Sequence, residues 1–155
     1  MRDTKSKKYK MPNGINNSDK VTKKLNGSCL CGLVSFKILG KLRDVIYCHC
    51  GQCLRTHGHF SAYTQVEKKN LELVIYDGLK WYYSSKKARR GFCMNCGASI
   101  FYERFGSKKM SIAAGMLESV DFLKSKEHIF FNERPNYYEI NDKLIKWSQY
   151  YLEKL

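Results

Sequence analysis

No apolar run in this chain approaches the roughly 18 residues that a membrane-spanning helix needs, so no membrane partner is expected. The N-terminus also lacks the apolar core of a secretory signal. It is a poor match to a mitochondrial presequence, because it is rich in Lys rather than Arg and carries Asp3 and Asp19. The expected compartment is therefore cytoplasmic, where thiols stay reduced. Acidic residues are scarce, 14 against 28 Lys and Arg, for a formal charge of +14. A surface this basic attracts polyanions and anionic small molecules without requiring a dedicated polyanion partner. The sequence has no internal repeat, and it lacks any recognised nucleic-acid motif.

What is present fits one folded unit. The 155 residues suit a single domain with a real core, and the 43% hydrophobic content is ordinary for a globular protein. Residues 1–24 hold eight Lys or Arg and almost nothing apolar, the composition of a disordered basic tail. The short run Lys5 to Lys10 reads as solvated rather than as a nucleic-acid patch. Residues 25–155 form the expected domain.

From Leu25 the pattern is mainly β. Val34, Phe36 and Ile38 alternate with Leu33, Ser35 and Lys37, as in a half-buried strand. Further strands are expected over 60–66, 71–76, 80–84, 99–105, 110–114 and 128–131, which are rich in β-branched and aromatic residues. Turn signals such as Asp77-Gly78 and Gly106-Ser107 separate them. One helix is expected at the end. Asn141 or Asp142 could cap it, and Leu144, Trp147, Tyr151 and Leu155 recur at helical spacing.

The seven cysteines fall in three groups: Cys29 and Cys31; Cys48, Cys50 and Cys53; Cys93 and Cys96. An odd count at such close spacing argues against disulfides and against small buried hydrophobes. Metal binding explains the pattern, and soft thiolates select zinc over hard cations. On a strand, residues two apart share a face, which would let Cys29 and Cys31 present both sulfurs to one ion. Cys93-Met94-Asn95-Cys96-Gly97 has the form of a zinc knuckle, with Gly97 free to make the tight turn. Seven sulfurs suit one closed site of four and one site of three with a vacancy. Spacing leaves the partition open, and His57 or His59, less readily His49, could complete the smaller site.

The motifs Gly27-Ser28-Cys29-Leu30-Cys31-Gly32, Cys48-His49-Cys50-Gly51-Gln52-Cys53-Leu54-Arg55, Trp81-Tyr82-Tyr83-Ser84-Ser85 and Arg90-Gly91-Phe92-Cys93-Met94-Asn95-Cys96-Gly97 resemble the glutathione-dependent formaldehyde-activating enzyme family, which includes centromere protein V. The later His128-Ile129 and Pro135 fit the same pattern. The resemblance implies a compact β-tent fold of short antiparallel strands in several small coiled sheets. It implies a structural zinc on Cys29, Cys31, Cys93 and Cys96, and a catalytic zinc on Cys48, Cys50 and Cys53. The implied activity is that of a carbon–sulfur lyase adding glutathione to formaldehyde or a related aldehyde, giving S-hydroxymethylglutathione. Arg55, His57 and His59 are candidate substrate-binding residues. Arg89 and Arg90, with Lys86 and Lys87, form a basic run beside the last pair. Lys86 and Lys87 read as a solvated face. The alternative is a zinc-stabilised module that binds nucleic acid or another polyanion, motivated by the charge and the 21 aromatic residues.

Overall fold

The computed structural model describes residues 24–149, so all of the expected basic tail except Lys24 lies outside the described residues. The strands are β1 (Lys24–Ser28), β2 (Ser35–Leu39), β3 (Val45–Cys48), β4 (Ser61–Glu67), β5 (Leu71–Ile75) and β6 (Leu79–Ser85). They continue with β7 (Ala88–Cys93), β8 (Ser99–Arg104), β9 (Lys109–Ala113), β10 (Ser125–Ile129) and β11 (Ile145–Lys146). Among the described residues one α-helix, α1 (Gly51–His57), follows β3. The fold is mainly β, as the alternating and β-branched runs predict.

These strands pair in two sheets. One holds β1, β2 and β5; the other runs β11-β10-β3-β4-β9-β8-β7-β6. Most pairs are antiparallel, but β10 lies parallel to both β3 and β11. The core follows from the period-two pattern. Phe36 and Ile38 on β2 are buried, while Ser35 and Lys37 between them are partly exposed. With Val34 they meet Val66, Ile100, Phe101 and Ile112 of the larger sheet in one buried cluster. Phe36 and Phe101 are 5.2 Å apart and tilted, and Trp81 stacks on Phe101 at 6.0 Å. This tilted packing is a favourable aromatic arrangement. The core thus pins the turn after β1 against the end of β7, where four of the cysteines lie.

The C-terminal helix does not form over the described part of its range. Asp142 Oδ1 instead accepts the Leu144 N–H at 3.1 Å, a local turn that competes with helix. Ile145 and Lys146 pair with β10. The Trp147 N–H donates to the His128 carbonyl, and its indole N–H donates to Glu127. The helical spacing of Leu144 and Trp147 therefore comes from residues that dock on a strand edge; Tyr151 and Leu155 lie outside the described residues. The helix that does form, α1, carries Cys53, and Gly58 closes it with φ 71° in the left-handed region. Among the described residues no helix is long and apolar enough to cross a membrane.

Candidate metal centres

The cysteines assemble into two clusters, and the sulfurs within each lie within 4.8 Å of one another. Cys29, Cys31, Cys93 and Cys96 form the first; Cys48, Cys50 and Cys53 form the second. All seven are free thiols. Among the described residues no histidine or carboxylate joins either group.

The first cluster is built from two turns facing each other. Cys29 and Cys31 sit just past the end of β1 rather than on a strand, so the strand-face argument for their pairing does not hold. The turn itself brings them together: Gly32 donates to the Cys29 carbonyl, and the Val34 N–H reaches Cys29 Sγ at 3.3 Å. The second turn is the expected knuckle. Gly97 has φ 73°, and its N–H closes the turn onto the Cys93 carbonyl at 2.8 Å. Gly78 ties the two turns together, donating to the Leu33 carbonyl and accepting from the Met94 N–H. A Cβ on Gly78 would stand 2.9 Å from Leu33 Cβ and 3.0 Å from Cys93 Sγ, so only glycine fits. Cys31 Sγ lies 3.6 Å from the sulfurs of both Cys29 and Cys93. Sulfurs on a tetrahedral zinc at about 2.3 Å would be about 3.8 Å apart, so the donor set fits such an ion. The Asn95 side chain beside Cys31, aided by the Leu33 backbone, lowers its thiol pKa to about 6.

The second cluster sits where a strand ends and a helix begins. Cys48 is the last residue of β3, Cys50 precedes α1, and Cys53 lies in its first turn. The larger sheet fixes Cys48 between Ile129 of β10 and Ser61 of β4. Hydrogen bonds from Cys48 and Cys53 hold the Cys50 thiol far below its ordinary range, while the Cys48 and Cys53 thiols lie above theirs, so without a metal the cluster favours a single thiolate. A three-thiol set of this kind suits a soft cation.

The histidines near the second cluster have other partners. His49 lies past the end of β3 and is engaged by residues other than the cysteines. Its Nδ1 pairs with the Tyr138 hydroxyl and its Nε2 with His128 Nδ1, both at 2.8 Å. His128 Nε2 in turn pairs with Asp142 at 2.9 Å. His59 packs at a tilt against Tyr138 and Phe60, and Arg55 is exposed on α1. His57 Nε2 meets the Tyr63 hydroxyl at 3.3 Å. Burial, helped by the nearby Arg90 charge, lowers the His57 pKa and keeps the ring neutral. Burial raises the Tyr63 pKa and keeps its hydroxyl protonated. A cavity of about 360 Å³ opens beside this pair, lined by Thr56, His57, Ser99 and Met116 among others.

The sequence pattern did not single out Tyr63, and Arg90 stood out only in a basic run and at the start of the motif that ends in Gly97. Neighbouring arginines on β7 separate into two roles. Arg89 pairs with Glu103 across the β7–β8 register and lies over Trp81 at 4.1 Å. Arg90 is 6% exposed, points the other way, and reaches Gln52 and Cys53. The alternation of a strand was the available signal.

Comparison with known proteins supports the reading of the motifs. The sequence profile of the family described as "Glutathione-dependent formaldehyde-activating enzyme" matches residues 24–133. A Schizosaccharomyces pombe protein named an uncharacterized lyase is 24% identical over 119 residues, covering 76% of this chain and 85% of that protein. A crystal structure of a Rhodobacter sphaeroides protein superposes with a TM-score of 0.51 at 19% identity, covering 79% of this chain and 98% of the other. That likeness bears on the fold alone. The chain belongs to the glutathione-dependent formaldehyde-activating enzyme family, and at that level it is a lyase with two cysteine clusters able to hold metal.

Proposed function

We propose that this protein is a two-zinc carbon–sulfur lyase that joins glutathione, or a similar thiol, to formaldehyde or another small aldehyde. Cys29, Cys31, Cys93 and Cys96 would hold a structural zinc, and Cys48, Cys50 and Cys53 a second zinc that acts in catalysis. The single observation carrying this reading is the three-sulfur cluster, which no other metal-binding side chain among the described residues joins. Zinc with an open coordination position supplies a Lewis acid that favours the thiolate form of an incoming thiol.

The chain's own residues account for the rest of the reaction. In the forward direction the thiol sulfur bonds to the aldehyde carbon. The carbonyl π pair moves to oxygen, and the proton lost by the thiol is made up there. Neutral His57 is suited to take up the thiol proton, and the Tyr63 hydroxyl, hydrogen-bonded to it, is suited to deliver one to the new oxygen. The same groups run the reverse cleavage. Arg55 and His59 remain candidate substrate contacts, Arg55 because its guanidinium is exposed and free to meet a carboxylate.

The test is metal analysis with thiol titration. The wild-type protein should hold two zinc ions, and glutathione should perturb one of them. Tyr63→Phe should keep both ions and slow the reaction by about 100-fold, within the range for a lost general acid. Finding a fourth protein ligand on the second zinc would overturn the assignment.

A further inference from the structure

Arg90 is a buried cation that lacks a carboxylate partner. It is 6% exposed, its Nε and Nη1 have no hydrogen-bond partner, and no Asp or Glu pairs with it among the described residues. A buried charge in that state is costly, and structures normally pair it. The adjacent Arg89 shows the usual arrangement, because Glu103 takes it as a partner. Glu103 also binds Lys68, so that acid is committed on the other face of β7. Arg90 turns instead toward the second cysteine cluster. Its Nη2 lies 3.2 Å from Gln52 Oε1 and 3.9 Å from Cys53 Sγ. The Tyr102 ring lies 5.1 Å from its guanidinium carbon.

Charge completes the argument. Three thiolates on a zinc dication leave one excess negative charge, which would repel an incoming thiolate and weaken the Lewis acid. A guanidinium is permanently protonated and cancels that charge. We propose that Arg90 is a positioning residue for the three-cysteine centre: its fixed charge and its Nη2–H···Sγ contact to Cys53 neutralise the cluster, secure its metal and let an anionic sulfur approach. The inference rests on the reading of Cys48, Cys50 and Cys53 as a metal site and adds the residue that sets its charge.

The test measures zinc release from the full-length protein to a graded series of chelators, with the cobalt-substituted spectrum as a second readout. Arg90→Met should weaken the less tightly held zinc by about 10–100-fold, the usual range for a lost partner of a metal ligand. It should leave the tighter zinc within about threefold, and it should shift the sulfur-to-cobalt charge-transfer band of the weaker site. Arg90→Lys, which keeps the charge, should restore the weaker site to within about fivefold of wild type. If Arg90→Met leaves the weaker site within about twofold, or weakens both sites equally, the proposal is overturned. Should Arg90→Met fail to fold, Arg90→Lys carries the test: retention of both ions supports the proposal, and loss of both overturns it. A wild-type protein with only one zinc overturns the metal reading and the inference together. If a second zinc binds no thiol and Arg90→Met still weakens it, only the thiol reading falls.

Discussion

The two cysteine clusters use the same side chain and are held in different ways. The first joins two turns far apart in sequence, each with its own backbone bonds, and sits against the hydrophobic core. Cys29 and Cys93 are buried there at 3% and 0% exposure. Four sulfurs suit a closed tetrahedral ion, and closing the site holds two parts of the chain together. The second cluster draws all its sulfurs from six consecutive residues, so little of the fold depends on it. Around it stand groups the first cluster lacks: an uncompensated arginine, a neutral histidine and a protonated tyrosine. On the proposed reading, long-range closure marks the structural site, and local ligands among titratable neighbours mark the reactive one.

The sharpest break in this comparison is Cys93→Ser. Structural zinc contributes ~10–16 kcal/mol in small zinc domains, so this variant should lose its cooperative melting transition along with the metal. Circular dichroism and metal content would measure both. Cys50→Ser is the counterpart. It should lose one metal ion and its reaction with glutathione and formaldehyde by at least about 100-fold, while its melting temperature moves by only a few degrees. Equal loss of fold in the two variants would erase the distinction between the clusters.

Gly78→Ala probes the strap between the two turns. Its Cβ would crowd Leu33 and the Cys93 sulfur, at a cost of about 1–3 kcal/mol in a well-packed site. Denaturant titration should show the loss, and the second metal should stay in place.

Glu103→Gln tests the other arginine of β7. Burial would raise the Glu103 pKa, but hydrogen bonds from Lys68 and Arg89 outweigh it and hold the carboxyl below 4.5. The unfolded chain therefore takes up a proton first as pH falls. Wild type should exceed Glu103→Gln in stability by about 1–3 kcal/mol at neutral pH. That gap should close as pH falls from 4.5 through the folded pKa, as urea titrations at several pH values would show. A gap that widened in acid would contradict the assignment.

Much of this was legible in the sequence. The alternation at Val34, Phe36 and Ile38 identified β2, and the three cysteine groups identified the candidate ligands, while their partition was open from spacing and was implied by the family resemblance. The knuckle ending in Gly97 formed as its residue pattern implied. What escaped depended on tertiary context. Helix α1 is short, and its amphipathic pattern is too brief to read; Gly58 was its main signal. The spacing of Leu144 and Trp147 mimicked a helix because the hydrogen bonds of β10 could not be seen in advance. Tyr63 and Arg90 meet residues 6 to 38 positions away, His57, Cys53 and Gln52 among them, and only the fold brings them together.

The central claim is that one cluster is closed by the protein and the other is left open to a thiol. Cadmium-113 NMR of the cadmium-substituted protein tests it directly, because the shift reports the number of sulfur ligands at each site. Two resonances are predicted, one of them unmoved by glutathione and the other shifting toward the four-sulfur range as glutathione is added. A single resonance, or two that both ignore glutathione, would contradict the account.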